Sequence, residues 1–100
     1  MISLNMRELN ILSALISGRM YGLEIVRYVN ENGTVKLQLG NLYAILSGME
    51  KKGVLTSEQG PTTSKRGGNK RRYYSITAKG QRCISEYQAR LGGMWGFQIA

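Results

Sequence analysis

Apolar residues recur three and four positions apart in the first half of this chain and then give way to alternation, and that change of period divides it into elements. Leu9, Leu12 and Ile16 share a helical face, preceded by Asn5 and Glu8 at capping-box spacing and followed by Gly18, which offers a left-handed stop. A second pattern runs from about Gly22 to Asn32, with Ile25, Val26 and Val29 on one side, Glu24, Arg27 and Glu31 facing out, and Gly33 at its end. Thr34 to Leu37 reads as a short β-prone connection. Leu39, Leu42, Tyr43, Leu46 and Met49 then mark a third amphipathic helix that closes at Gly53.

From Val54 the period is two. Residues 54–59 and 71–77 are β-branched or aromatic runs on either side of a loop, 60–70, whose Pro61 and glycines predict a long and mobile connection. Alternation puts Arg72, Tyr74 and Ile76 on one strand face, with Tyr74 and Ile76 inward, and Arg71, Tyr73 and Ser75 on the other. Thr77 can cap a last helix carrying Ile84, Tyr87 and Leu91 at helical spacing, with Gly92 and Gly93 as its stop and a short apolar tail beyond. No internal repeat or interdomain linker is visible. The reading is an α+β, mainly helical chain with three helices, a two-stranded wing and a C-terminal helix, the order of a winged helix-turn-helix. The expected division is residues 1–80 as the winged helix-turn-helix, the DNA-binding domain of that order, and residues 81–100 as a further helix and tail, expected to serve dimerisation.

Composition narrows the chemistry. The chain has 100 residues, enough for one small core, and a formal charge of +8. Between Glu58 and Glu86 no acidic residue occurs while Lys65, Arg66, Lys70, Arg71, Arg72, Lys79 and Arg82 do, so the positive field is local and favours a polyanionic partner. Five of those cations fall between Lys65 and Arg72, at the tip of the predicted hairpin, where a basic loop can follow phosphates and release their counterions. A solvated charged turn is the plainer reading of such a run taken alone. There is no histidine and no aspartate, and Cys83 is the only cysteine, which removes Cys/His metal sites, Ser-His-Asp triads and histidine proton transfer. Neither an enzyme nor a cofactor is expected. Cys83 reads as a small apolar group. The polar start lacks the apolar core of a signal peptide, no segment is long enough to span a bilayer, and a lone thiol fits a reducing interior. The expectation is a cytoplasmic protein with no membrane partner.

Three segments bear a family likeness. Gly18-Arg-Met-Tyr-Gly-Leu-Glu-Ile25 resembles the Gly-Pro-Leu-His-Gly-Tyr-Glu-Ile element of PadR-family transcriptional regulators. The run from Leu39 to Leu46 and then Met49 to Leu55 is similar to that family's Gly-Thr-Leu-Tyr and Leu-Glu-x-x-Gly-Leu-Ile pieces, and Asn69 to Gly80 parallels Arg-Lys-Tyr-Tyr-x-Leu-Thr-x-x-Gly. The matches span roughly residues 9 to 91 in the family's order, with Arg19, Tyr21, Leu23 and Asn41 departing from the common residues. The resemblance implies a homodimeric repressor that binds double-stranded DNA, pairs through its last helix, and in many members takes an effector at or near the dimer interface.

Candidate contacts follow from the helix-turn-helix reading. Asn41, Ala44 and Ser47 fall on the third helix away from Leu42 and Leu46; asparagine can bond adenine, serine either base, and alanine a thymine methyl. Lys36 and Gln38, just before the helix, suit phosphates, as do Lys65, Arg66, Lys70 and Arg71 on the wing. Tyr43 has two readings, a core ring or a rim residue whose hydroxyl reaches a phosphate. Gly22 and Gly40 serve either close packing or close approach to DNA. Ile84, Tyr87 and Leu91 form the stripe expected to pair two subunits. Trp95, a few residues on, either packs or stacks on a small planar aromatic effector at the dimer interface. A winged-helix module for protein or RNA interaction is the other class the pattern allows; a polar outer face on the third helix favours DNA, an apolar stripe a protein.

Overall fold

The structure, a computed structural model, describes residues 3–60 and 71–91. Its first helix, α1 (Met6–Ile16), opens on the expected capping box: the Glu8 N–H donates to Asn5 Oδ1 and the Asn5 N–H to Glu8 Oε1, each at 2.9 Å. Folding buries Glu8, and the Lys52 ammonium 2.8 Å from Oε2 compensates its charge. Strand β1 (Met20–Tyr21) leads straight into α2 (Gly22–Asn32), and α3 (Leu39–Lys52) follows. Gly53 closes α3 at φ 80°, a left-handed conformation that glycine adopts without a side-chain clash. Strands β2 (Leu55–Gln59) and β3 (Arg72–Ile76) and helix α4 (Ala78–Leu91) complete the order.

Leu12, Ile25, Leu42, Leu46, Met49, Leu55, Tyr74 and Ile84 bring four helices and the sheet onto one core. The sheet is antiparallel in the order β1-β3-β2, with Tyr21 opposite Tyr73, Met20 opposite Tyr74 and Leu55 opposite Ile76. Tyr74 is buried and Ile76 packs against the core, as alternation required.

One expectation needs correcting. The sheet has a third strand, β1, because Met20 and Tyr21 pair with β3; two residues between Gly18 and Gly22 are too few to show a period. Residues Thr34 to Leu37 form the expected short connection, without pairing as a strand. Their backbone is satisfied by asparagines instead: Asn10 Oδ1 accepts the Thr34 N–H at 3.0 Å, while Asn30 accepts the Leu37 N–H at 2.7 Å and donates to the Leu37 carbonyl at 3.1 Å. Asn10 also donates to the Met6 carbonyl and to Thr34 Oγ1 from a position only 2% exposed. Gly33 is required by this arrangement, since a Cβ there would overlap Asn10 Oδ1.

Thr77 joins the two halves. Its hydroxyl donates to the Gly53 carbonyl at 2.7 Å and accepts the Gly80 N–H at 3.0 Å, so one side chain caps α4 and holds the C-terminal end of α3. Gly80 lies so close to the Val54 carbonyl that a Cβ would overlap it, which sets α4 directly on the chain leaving α3.

Removing the Asn10 amide takes away the part-buried bonds to the Met6 carbonyl and to Thr34, at a cost of about 1 kcal/mol or somewhat more. Urea denaturation of Asn10→Ala followed by circular dichroism should show that loss. Burial, reinforced by the Glu50 carboxylate, raises the Tyr74 hydroxyl above its ordinary pKa. The folded state therefore holds the proton more tightly than the unfolded one, and the contribution is whole below the unfolded value of about 10 and lost as pH rises through the folded value. Between pH 9 and pH 11 the urea midpoint should fall less for Tyr74→Phe than for the wild type.

Candidate nucleic-acid interface

Helix α3 buries Leu42, Leu46 and Met49 completely and turns Asn41, Ala44 and Ser47 to solvent, so the three expected base-reading positions share an accessible side. Gly40 belongs to that side too. A Cβ there would meet nothing within 4 Å, which removes packing as its purpose. Gly22 is the opposite case, because a Cβ on it would lie 2.5 Å from the Tyr43 hydroxyl oxygen. The Tyr43 ring thus rests its polar end on the start of α2 while 51% of the residue stays exposed, which decides for the rim rather than the core. Leu39, one turn earlier, is also outside the core at 42% exposure, although periodicity put both on the apolar stripe.

At the start of α3 the chain forms an open cavity of about 220 Å³ lined by Arg7, Lys36, Leu37, Gln38, Asn41 and Ile45. Three expected contact residues therefore meet in one place. The Lys36 ammonium donates to the Asn30 carbonyl at 2.7 Å, in the last turn of α2, where a cation also complements the helix dipole. It keeps two further donors for a phosphate. Gln38 takes the N-cap position with an extended backbone, but its side chain makes no capping bond. Arg7, on the outer face of α1, was missed by sequence reasoning: nothing along the chain links it to residues some thirty positions away.

A second cationic group stands on the solvent face of the sheet. The Arg71 guanidinium lies 4.5 Å from the Tyr21 ring centroid, and Tyr21 meets Tyr73 edge to face at 5.7 Å. Arg19 lies 4.6 Å above the Tyr73 ring and pairs with Glu58 at 3.0 Å. This ladder ties the base of the wing to the start of α2. Of the expected wing contacts only Arg71 is placed, exposed on this face; Lys65, Arg66 and Lys70 lie outside the described residues.

On α4, Ile84 is 1% exposed within its own chain's core, and this corrects its expected place on a pairing surface: packing against α1 and β3 already covers that side of the helix. Tyr87 is half-buried and its hydroxyl accepts the Leu4 N–H at 3.0 Å. The Leu91 side chain and Trp95 lie outside the described residues. Cys83 is a free thiol packed against the core. Among the described residues no cluster of His, Cys, Asp and Glu could hold a metal ion, and no helix is long and apolar enough to cross a membrane.

The profile of the transcriptional regulator PadR-like family matches residues 11–86. The chain belongs to that family. PadR-like proteins are regulators of transcription rather than enzymes. A PadR family transcription regulator from Clostridium difficile R20291 has a crystal structure similar to this one, with a TM-score of 0.77 at 27% identity over 90% of this chain and 91% of that one. An uncharacterised protein of Lysinibacillus sphaericus is 32% identical over 78 residues, 76% of this chain and 69% of its own length. Bacillus subtilis PadR, solved in complex with operator DNA, is similar at 20% identity and a TM-score of 0.68 over 79% of this chain and 43% of that one, a likeness of fold alone.

The two glycines should respond differently to alanine. Gly40→Ala gains helix propensity at an open site and should stabilise the fold by roughly 0.5–1 kcal/mol, whereas Gly22→Ala must push the Tyr43 ring aside and should lose some or all of that gain. Thermal unfolding of the two variants measures both.

Proposed function

We propose that this PadR-like chain is a sequence-specific DNA-binding regulator of transcription that works as a dimer and represses by covering a promoter. The observation that carries the reading is the solvent-facing side of α3. Asn41, Ala44 and Ser47 stand there with no part in the core, and the helix begins beside a cavity lined by Arg7 and Lys36. A helix offered to solvent with its leading end flanked by cations suits the major groove, where base edges are read and adjoining phosphates fix the register. The relative solved with operator DNA supports the same use of this fold.

Pairing of two chains is inferred from the family, with α4 as the proposed element through Tyr87 and Leu91. A two-fold dimer would set two recognition helices for successive major grooves about 34–36 Å apart. The wing residues Lys65, Arg66, Lys70 and Arg71 are proposed to add affinity without sequence preference, in a cytoplasmic protein that meets DNA directly. For Trp95 an effector contact is the proposal, and fluorescence of this single tryptophan during titration with planar aromatic compounds tests it; an unchanged signal for every compound leaves only packing.

A protein-binding module is the second reading, and the exposure of Leu39 and Tyr43 is what favours it. The centre of the outward face, however, is Gly40, Ala44 and Ser47, with no large apolar side chain among them.

Selection of bound duplexes from a random pool tests the reading, and a palindromic consensus is expected. No enrichment would defeat it. Replacing Arg7 and Lys36 by alanine should weaken all duplexes together and flatten the plot of log affinity against log salt by about 0.9 for each phosphate that is no longer neutralised. Asn41→Ala and Ser47→Ala should instead change the selected site. Sedimentation of the wild type as a monomer at micromolar concentration would exclude the dimer.

A further inference from the structure

We propose that Leu39 and Tyr43 read thymine methyl groups, giving this protein an apolar component of sequence choice beside its polar contacts; the proposal deepens the DNA-binding reading and rests on it. Leu39 and Tyr43 are 42% and 51% exposed and lie one turn apart on one flank of α3. Leu23, 37% exposed, follows Gly22, the residue on which the Tyr43 hydroxyl end rests. Three apolar side chains thus come to the surface where the first turns of α2 and α3 converge. Helical side chains lean toward the N-terminus, so Leu39 and Tyr43 cover the leading end of α3, the part of a recognition helix that reaches base edges.

A leucine offers a base edge no hydrogen bond. In the major groove the exposed apolar group is the thymine C5-methyl, which makes thymine the base this patch can favour. The Tyr43 hydroxyl end rests against the Gly22 backbone, which leaves the rest of its ring exposed on this flank. The surroundings point to the same occupant. Arg71 lies over Tyr21, the residue before Gly22, so a cation stands beside the patch, while Arg7 and Lys36 line the cavity on the other flank of α3, next to Asn41 and Ile45. A polyanion carrying methyl groups fits that setting, whereas a second copy of a chain with formal charge +8 would bring like charge to it.

The test uses the best duplex recovered from the random pool and replaces its thymines one at a time by deoxyuridine, which pairs as thymine does and lacks the methyl. Wild-type affinity should fall about fourfold at one or two positions, the equivalent of ~0.8 kcal/mol for one buried methyl-sized group. Leu39→Ala, a change at an exposed position, should bind the thymine duplex more weakly and be indifferent to deoxyuridine at one of those positions. Wild-type binding indifferent to every replacement, or a Leu39→Ala protein as methyl-sensitive as the wild type, overturns the proposal while leaving DNA binding in place. Failure to recover any bound duplex overturns both. Leu39→Glu adds a control for a protein contact, since a lower sedimentation mass than the wild type would assign the patch to a second copy and overturn the thymine reading.

Discussion

The direction of α3 depends on the turn before it, and the turn between α2 and α3 has no regular backbone pairing of its own, so two asparagine side chains supply it. Asn10 reaches across from α1 to the Thr34 N–H and hydroxyl. Asn30 closes on both backbone groups of Leu37. Together they fix each end of a short irregular segment, and the direction in which α3 leaves it follows. An apolar residue at position 10 would fill the space equally well but would leave the turn without partners; the buried polar contact specifies one geometry where packing alone would allow several.

The second control on α3 comes from its far side. Thr77 binds the carbonyl of Gly53, where α3 ends, and the N–H of Gly80, where α4 begins, while Gly80 sits on the Val54 carbonyl. The Arg71–Tyr21–Tyr73–Arg19 ladder does the same for the wing, joining its base to the strand that runs into α2. Ring and guanidinium contacts of this kind are individually small, of the order of 0.5–1 kcal/mol at exposed sites. Their value is geometric: they hold the wing base and its cations against the start of α2.

Much of this was legible in the chain. Helix limits were readable because capping and termination use local chemistry, as at Asn5 with Glu8 and at Gly53, and the inward side of β3 followed from a period of two. Tertiary relations were not. Asn10 occupies a helical position whose partner lies twenty-four residues away, and Arg7 and Lys36 meet only after α1 and the turn pack together. Leu39 and Tyr43 fit the apolar stripe of α3 by spacing, yet they lie beyond the edge of its buried face, a boundary set by how far α2 covers the helix. β1 was invisible for a different reason, since a two-residue strand is defined by its partner and not by its own sequence. Ile84 showed the limit of reading an apolar stripe as an interface: the pattern says that a face will be covered, and the fold says by what.

The solvent-facing side of α3 has a consequence for how such a protein can change through descent. Leu42, Leu46 and Met49 hold the helix in place, whereas Asn41, Ala44 and Ser47 hold nothing, and Gly40 faces open space. Substitutions at surface positions of this kind usually alter stability by no more than about 0.5 kcal/mol. The residues proposed to choose the DNA site are thereby separated from the residues that make the fold. A duplicated copy could acquire a new target by changing three or four side chains, with no compensating change in the core and no intermediate that fails to fold.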